Sequence, residues 1–595
     1  MSKFILSNVG AVKKTVAKSE KAGFSLSGQS ERSGSFIFSS FHKLGMKNEN
    51  FLQINDDFIS VVGTIIYNNR SGEPALRNIY EDFKGVQSIE SIRDFIIGNG
   101  AIIIKKAGSL YVFTDNYALF ALYYIVRDSE YVICNNLIDI ASTISVEPNW
   151  NNIYEKIWIG SIFCGGTYFK DVYRLSDDKC IVIDCATSSV SLSTIKSSWV
   201  SDEKMSYESI VDVVSKSLIS NATEIIKSFG TPALSSTGGL DNRLNLASFL
   251  AAGAKPSLYY GIGNSTVTNT YNEDAEIDRL YSAKYGLTFN TMKWTTPDPI
   301  NKDWKKLFEQ FGEHYELYAG SDAIFNGYIT IDSKSIFFGY FGEMYRNLDF
   351  INKLQSDYFS IDYYIDNYLM PMTDPKEIII NDMASFKRYL RNQLLSVCEK
   401  WNLNPDHISN NDEVYLSLER RLEGDSRLVN WINYHHYSCF LLGQKQCLKY
   451  VLSVDTGKRE NSRFMIDLLL KIYPSIMEVP VFTHTHYMMY DKNTNSLKLP
   501  ASKKFINTVK SSIPFYDKII RSSFGKEVKR LFKNKKKKEE VIHDRSSQDV
   551  IEEIMTKHGL VKGVDYGGCS TKGGITRTIT YLQILEMLDN AKPLL

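Results

Sequence analysis

The residues best suited to chemistry fall in one string, Leu234-Ser-Ser-Thr-Gly-Gly-Leu-Asp-Asn-Arg243. Adjacent Gly238 and Gly239 let the backbone fold tightly and bring N–H groups close to an anion. A helix beginning near Asp241 adds aligned donors and the positive end of its dipole. Thr237 and Asn242 supply neutral donors, and Arg243 supplies a cation able to bind in two places at once. Together these groups suit a diphosphate. The string contains neither GxxxxGK[ST] nor GxGxxG, so it is not a Walker loop or a dinucleotide fingerprint. It also suits an ordinary strand–turn–helix with a glycine turn. Elsewhere His484-Thr-His486 has strand spacing for two metal ligands, but no third ligand follows at a telling distance. That pair and His435-His436 read as structural.

The loop needs a strand before it and a helix after it, and the sequence predicts both. Thr231–Ser236 reads as a short strand, and Asp241–Ala252 has helical apolar spacing that stops at Gly253 with Pro256 beyond. Ser206–Ser228 reads as an amphipathic helix. Ser257–Ile262 and Thr288–Lys293 read as strands flanking a helix at Asp274–Tyr285, and Ser335–Tyr340 reads as a further buried strand. Strands alternating with helices predict a parallel, doubly wound sheet. The first 200 residues read mainly as β, through Phe58–Tyr67, Ala101–Lys106, Ser109–Thr114, Leu122–Val126 and Cys180–Asp184. Val86–Ile97 and Asn151–Trp158 read as helices among them. Residues 360 to about 475 read as mainly helical.

The composition excludes some functions without naming one. The 595 residues carry 69 Lys+Arg against 68 Asp+Glu, a net charge of +1, which argues against a chain built to coat nucleic acid or an anionic membrane. The length predicts two or three domains. The eight cysteines are scattered with no CxxC pair, which predicts reduced thiols and a cytoplasmic protein. No window approaches the roughly 18 apolar residues of a membrane-spanning helix. Lys526–Lys538 is strongly basic and reads as a solvated linker. A polyanion contact there is the competing reading. GGCSTKGG at 567–574 lies in a C-terminal stretch of unassigned purpose.

At the loop the chain resembles the asparagine-synthetase-like members of the ATP-pyrophosphatase ligase family, whose signature is close to SGGLDS and TGGLDSR. The resemblance continues in order through Leu258–Gly263, Asp274–Leu287, Gly339-Tyr-Phe-Gly-Glu343, Leu418-Glu-Arg-Arg421 and Phe464–Pro480. More weakly, Gly98–Ile104, Asp115–Tyr124 and Thr167–Leu175 resemble the glutaminase-type sandwich that precedes the ligase domain in that family. The implied fold is multidomain, α/β and α+β. A β-rich glutaminase-like sandwich (1–200) precedes a doubly wound parallel-sheet ATP-pyrophosphatase domain with a helical C-terminal part (205–525). A basic linker (526–540) and a small appendage (541–595) follow.

The resemblance implies an ATP-dependent, AMP-forming amide ligase that adenylates a carboxylate and passes it to ammonia or an amine. ATP and Mg²⁺ are the implied cofactors. Ser236, Thr237, Gly238, Gly239, Leu240, Asp241, Asn242, Gly261, Asp274 and Gly342 map onto the nucleotide site, and Asp241 and Glu343 onto acids that hold magnesium. The carboxylate could belong to a small molecule, a peptide or a glycan. Nucleic acid is disfavoured as a partner, and the family leaves room for a homodimer. Three departures qualify this. The sequence begins Met1-Ser2-Lys3 and its first cysteine is Cys134, so glutamine hydrolysis by an N-terminal cysteine is not expected. The family's late acid and arginine align with His435 and Tyr437. No lysine stands at the family's catalytic place, leaving Lys458, Arg459 and Arg463 as substitutes; Arg243 and Arg463 are the expected catalytic cations. The alternative is a non-catalytic scaffold that retains nucleotide binding.

Overall fold

The computed structural model describes residues 3–32, 35–196, 199, 204–263, 272–294, 330–347, 349–354, 356–370, 383–483 and 486–499. The basic run, the C-terminal stretch, Ser2 and His484 lie outside these residues. The described chain is mixed α/β, with antiparallel sheets in the first 200 residues and a parallel sheet after them.

Two six-stranded antiparallel sheets face each other. One runs in the order Val172–Arg174, Tyr123–Arg127, Glu130–Cys134, Lys3–Ser7, Phe36–Phe41, Leu26–Arg32. The other runs Val190–Thr194, Lys179–Asp184, Ser109–Thr114, Ile96–Lys106, Asp57–Tyr67, Phe51–Ile54. Strand Asp57–Tyr67 is apolar almost throughout because both its faces are covered. Phe58, Val62 and Ile66 point at Phe4, Leu6 and Phe38 of the facing sheet. Ile59, Val61 and Ile65 pack instead beneath the helices that carry Leu76, Ile79 and Ile92. Period-two alternation between two buried faces gives a continuous apolar run. On the far side of the first sheet, Val12 and Val16 of helix Val12–Lys21 and Leu137 of helix Leu137–Thr143 cover Ile5 and Val132. The layers therefore run helix, sheet, sheet, helix.

The parallel sheet has the order Phe289–Trp294, Ser257–Gly263, Ala233–Ser235, Ile336–Phe337. Helices Tyr207–Phe229, Leu240–Ala251 and Asn272–Tyr285 connect and cover it. Two sequence expectations change. The helix expected over Val86–Ile97 ends at Asp94, because Ile96 and Ile97 pair with Tyr67 and Ile66 in the neighbouring strand. The strand expected over Ser335–Tyr340 joins the sheet only at Ile336–Phe337, with Ser335 bridged to Tyr437 on its other edge, and the chain turns at Gly339.

Helix Glu413–Asn433 joins the two halves. Its C-terminal part is buried and carries polar groups that meet backbone and side chains in the first 200 residues. Asn430 accepts from the Ala121 N–H at 3.0 Å and donates to the Ala121 carbonyl at 2.8 Å and the Asn135 carbonyl at 3.0 Å. The Asn433 carboxamide oxygen accepts from Thr64 at 2.7 Å and from the Lys43 amine at 3.1 Å. Each such bond contributes about 1 kcal/mol, and more is lost when its partner stays buried and unpaired. Asn430→Leu removes one hydrogen-bond partner from each of three backbone groups at once. Urea denaturation of this variant is expected to give an unfolding free energy lower by about 2–4 kcal/mol; a change within about 0.5 kcal/mol would contradict this role.

Candidate functional site

Strand Ala233–Ser235 delivers the glycine turn to the carboxyl end of the parallel sheet. Helix Asn272–Tyr285 then fixes the turn from below. Asp274 and Asp278 lie four residues apart, on one helix face. Asp278 accepts from the Ser236 hydroxyl at 2.6 Å, and Asp274 accepts from the Gly238 N–H at 2.8 Å. Beyond them Gly239 opens helix Leu240–Ala251, and as a glycine it brings no side chain to cap it. The first-turn N–H groups of an uncapped helix suit an anion.

A second loop lies directly on that helix start. Gly339 and Gly342 allow the contact. A Cβ on Gly339 would stand 2.7 Å from the Asn242 amide nitrogen, and one on Gly342 would stand 2.4 Å from Asp241 Cγ. Between them Phe341 has a left-handed φ of 70° that reverses the chain. The turn continues into Glu343 and Arg346.

These elements bound a cleft of about 810 Å³. Thr237, Gly239, Leu240, Asp241 and Asn242 line it from the helix start, with Tyr340, Glu343 and Arg346 from the second loop. Arg421 enters from helix Glu413–Asn433, and Phe482, Thr483 and Leu497 close the far side. The charges alternate. Arg346 Nη2 lies 3.4 Å from one Asp241 oxygen and its Nε 3.5 Å from the other. Arg421 pairs with Glu343 and also faces Asp425 at 3.9 Å. Burial pushes the Asp241 carboxyl up, Arg346 pulls it back down, and neighbouring Glu343 raises it. The Arg421 guanidinium is held above its ordinary value by Glu343 and Asp425, against burial, which lowers it.

The expected site residues divide. Thr237, Gly239, Leu240, Asp241, Asn242 and Glu343 line one cleft. Ser236, Gly238 and Asp274 instead shape the turn from beneath, with the Gly238 N–H and Ser236 hydroxyl already bonded. Gly342 packs on Asp241. Gly261 is buried in strand Ser257–Gly263, opposite Met292, two residues past the Tyr259 that pairs with Ser235. The two expected catalytic cations lie away from the cleft lining. Arg243 is fully buried and donates to the carbonyls of Val479 at 2.7 Å and Pro480 at 2.5 Å, so it clamps a distant loop rather than facing the cleft. Arg463 is 56 % exposed, and its nearest acid is Asp467 at 3.9 Å. Its neighbour Ser462 lines the cleft, but Arg463 does not. His436 is buried against the Ser333 carbonyl at 2.9 Å. Among the described residues no cluster of three or more His, Cys, Asp or Glu side chains could hold a metal.

Sequence reasoning assigned no role to Arg346 or Arg421. The available signal was spacing: Arg346 follows Glu343 by three residues, one turn of a tight helix.

No family model matches the chain, and no curated protein matches it. Solved structures that are similar in part include three enzymes. Glutamine phosphoribosylpyrophosphate amidotransferase from B. subtilis, complexed with ADP and GMP, is 8 % identical with a TM-score of 0.24, over 49 % of this chain and 90 % of that one. A glutamine-dependent NAD+ synthetase from Acinetobacter baumannii, complexed with ADP, is 18 % identical with a TM-score of 0.14, over 25 % of this chain and 26 % of that one. An allosteric regulatory enzyme of purine biosynthesis is 9 % identical with a TM-score of 0.21, over 52 % of this chain and 72 % of that one. At these scores the likeness carries no argument about chemistry.

The support beneath the turn is sensitive to pH. Burial raises the Asp278 carboxyl from its ordinary value to about 8. Such a group binds its proton more tightly folded than unfolded, so stability is full at low pH and falls as pH rises toward 8. Asp278→Asn removes this contribution. Denaturation at about pH 5 and about pH 8 is expected to show the variant losing less stability over the interval than the parent, by on the order of 2 kcal/mol. Equal losses would contradict the assignment.

Proposed function

We propose that the chain is an ATP-dependent, AMP-forming amide ligase of the asparagine-synthetase-like kind, which adenylates a carboxylate and passes it to ammonia or an amine. The observation that carries this reading is the uncapped start of helix Leu240–Ala251, which shares one cleft with two carboxylates and two arginines. Phosphoryl chemistry needs positioned donors and cations more than it needs a protein nucleophile. In this reading residues 1–200 form a glutaminase-like domain and residues 205–525 the ATP-pyrophosphatase domain. A basic linker (526–540) and an appendage (541–595) follow, and the protein acts in the cytoplasm.

The donor set fits magnesium. Asp241 and Glu343 come from different elements, meet on one cleft and offer only hard carboxylate oxygens, which suit that cation. They are the residues that would hold it. Bound magnesium supplies positive charge against phosphate oxygens. The chain supplies the rest. The N–H groups of Gly239 and Leu240 face the nucleotide phosphates, with the dipole of the helix behind them. Thr237 and Asn242 share a hydrogen bond of 2.9 Å, which fixes both side chains at the mouth of the turn. Tyr340, Phe482 and Leu497 give the cleft an apolar wall. The carboxylate substrate belongs to a small molecule, a peptide or a glycan.

The second reading is a scaffold that binds nucleotide without turning it over. The placement of Arg243 and Arg463 away from the cleft favours it. Turnover separates the two. Exchange of radiolabelled pyrophosphate into ATP, run across amino-acid, peptide and sugar-acid carboxylates, is expected with at least one class. Asp241→Asn is expected to lower it by about a hundredfold or more. Binding of Mg·ATP without exchange across every class would select the scaffold. Absence of both binding and exchange would overturn both readings.

A further inference from the structure

Arg346 and Arg421 are the two cations among the described residues that line the cleft. Each is paired with one of the two acids assigned to magnesium, and each keeps part of its side chain open on the cleft. Arg346 meets Asp241 at 3.4 and 3.5 Å, long for a charge-assisted hydrogen bond, and its side chain is 38 % exposed. Arg421 is 34 % exposed; it holds Glu343 closely and lies 3.9 Å from Asp425. Glu343 itself is only 7 % exposed, so it needs a positive partner at all times.

We propose that Arg346 and Arg421 are exchangeable counter-ions, holding Asp241 and Glu343 while no metal is bound and turning to the diphosphate of the nucleotide once a divalent cation takes those carboxylates. The proposal rests on the ligase reading and gives the diphosphate its protein cations. The charges balance at both stages. Before binding, two carboxylates face two guanidiniums. After binding, the carboxylates face a divalent cation and the guanidiniums face an anionic diphosphate. At neither stage is Asp241 or Glu343 left without a positive partner, the state that is most destabilising. Geometry permits the exchange because both arginines already face the space in front of the uncapped helix start. A guanidinium presents five donors in a fixed fork that matches phosphate oxygens. Arg243 cannot take the role, because carbonyls of the 476–480 segment occupy its guanidinium.

The two stages predict effects of opposite sign, and neither requires turnover. Affinity for Mn²⁺ alone is measured by electron paramagnetic resonance on the full chain, and affinity for inorganic pyrophosphate in saturating Mn²⁺ by calorimetry. Arg346→Met frees Asp241 from a competitor, so Mn²⁺ is expected to bind severalfold more tightly. The same variant lacks a diphosphate donor, so pyrophosphate is expected to bind about tenfold more weakly or worse. Arg421→Lys keeps a charge beside Glu343 and loses the fork, so pyrophosphate is expected to weaken while Mn²⁺ changes little. Circular dichroism melts confirm that each variant is folded. If both affinities of Arg346→Met fall together, or neither changes, the exchange is overturned and the ligase reading stands. If the parent chain binds neither Mn²⁺ nor pyrophosphate, the ligase reading falls and the exchange falls with it.

Discussion

The backbone of Gly342 lies so close to the Asp241 carboxyl that one added methyl group would stand 2.4 Å from its Cγ. The rest of the site depends on this contact. It seats the second loop on the start of helix Leu240–Ala251, and the next residues deliver Glu343 and then Arg346 to the cleft. Gly339 makes the matching approach to Asn242. From below, Asp274 and Asp278 hold the turn that leads into the same helix. The helix start is thus gripped from two sides while Gly239, Leu240 and Asp241 line the open cleft.

That grip gives the site its electrostatic character. A helix start attracts negative charge, and Asp241 in its first turn supplies one acid. Burial makes that charge unfavourable, and Arg346 offsets the effect. Glu343 and Arg421 repeat the arrangement across the cleft. Long helix Glu413–Asn433 ties these charges to the first 200 residues, since it carries Arg421 toward the cleft and Asn430 and Asn433 into the facing sheets. Loosening that seam would therefore also move a cation of the site.

Much of this was legible in the sequence where the signal is local. The glycine turn, its strand and the following helix were readable because two glycines and a 3.6-residue period lie within about twenty residues. The alternation that builds the parallel sheet was readable for the same reason. Leu26–Arg32 was not, because its sequence LSGQSER is polar and mostly uncovered; it becomes a strand through its ladder with Phe36–Phe41. The role of Arg243 was misread because its partners lie more than 230 residues downstream, at Ile476 to Pro480. A cation beside a glycine turn reads as a phosphate ligand until the carbonyls that surround it are known. Arg346, and Arg421 of the Leu418-Glu-Arg-Arg421 string, were given no role because the acids they meet at the cleft, Asp241 and Glu343, come from other elements.

The central claim is that the start of helix Leu240–Ala251 receives the phosphates of a nucleotide. Hydrogen exchange at the amides of Gly239, Leu240 and Asp241 tests it most directly, with and without Mg·ATP, and with Mg²⁺ alone as control. The account predicts that Mg·ATP slows exchange at these amides while Mg²⁺ alone does not, because the donors acquire acceptors only from phosphate. Unchanged exchange at these amides, under conditions where Mg·ATP is shown to be bound, would contradict it.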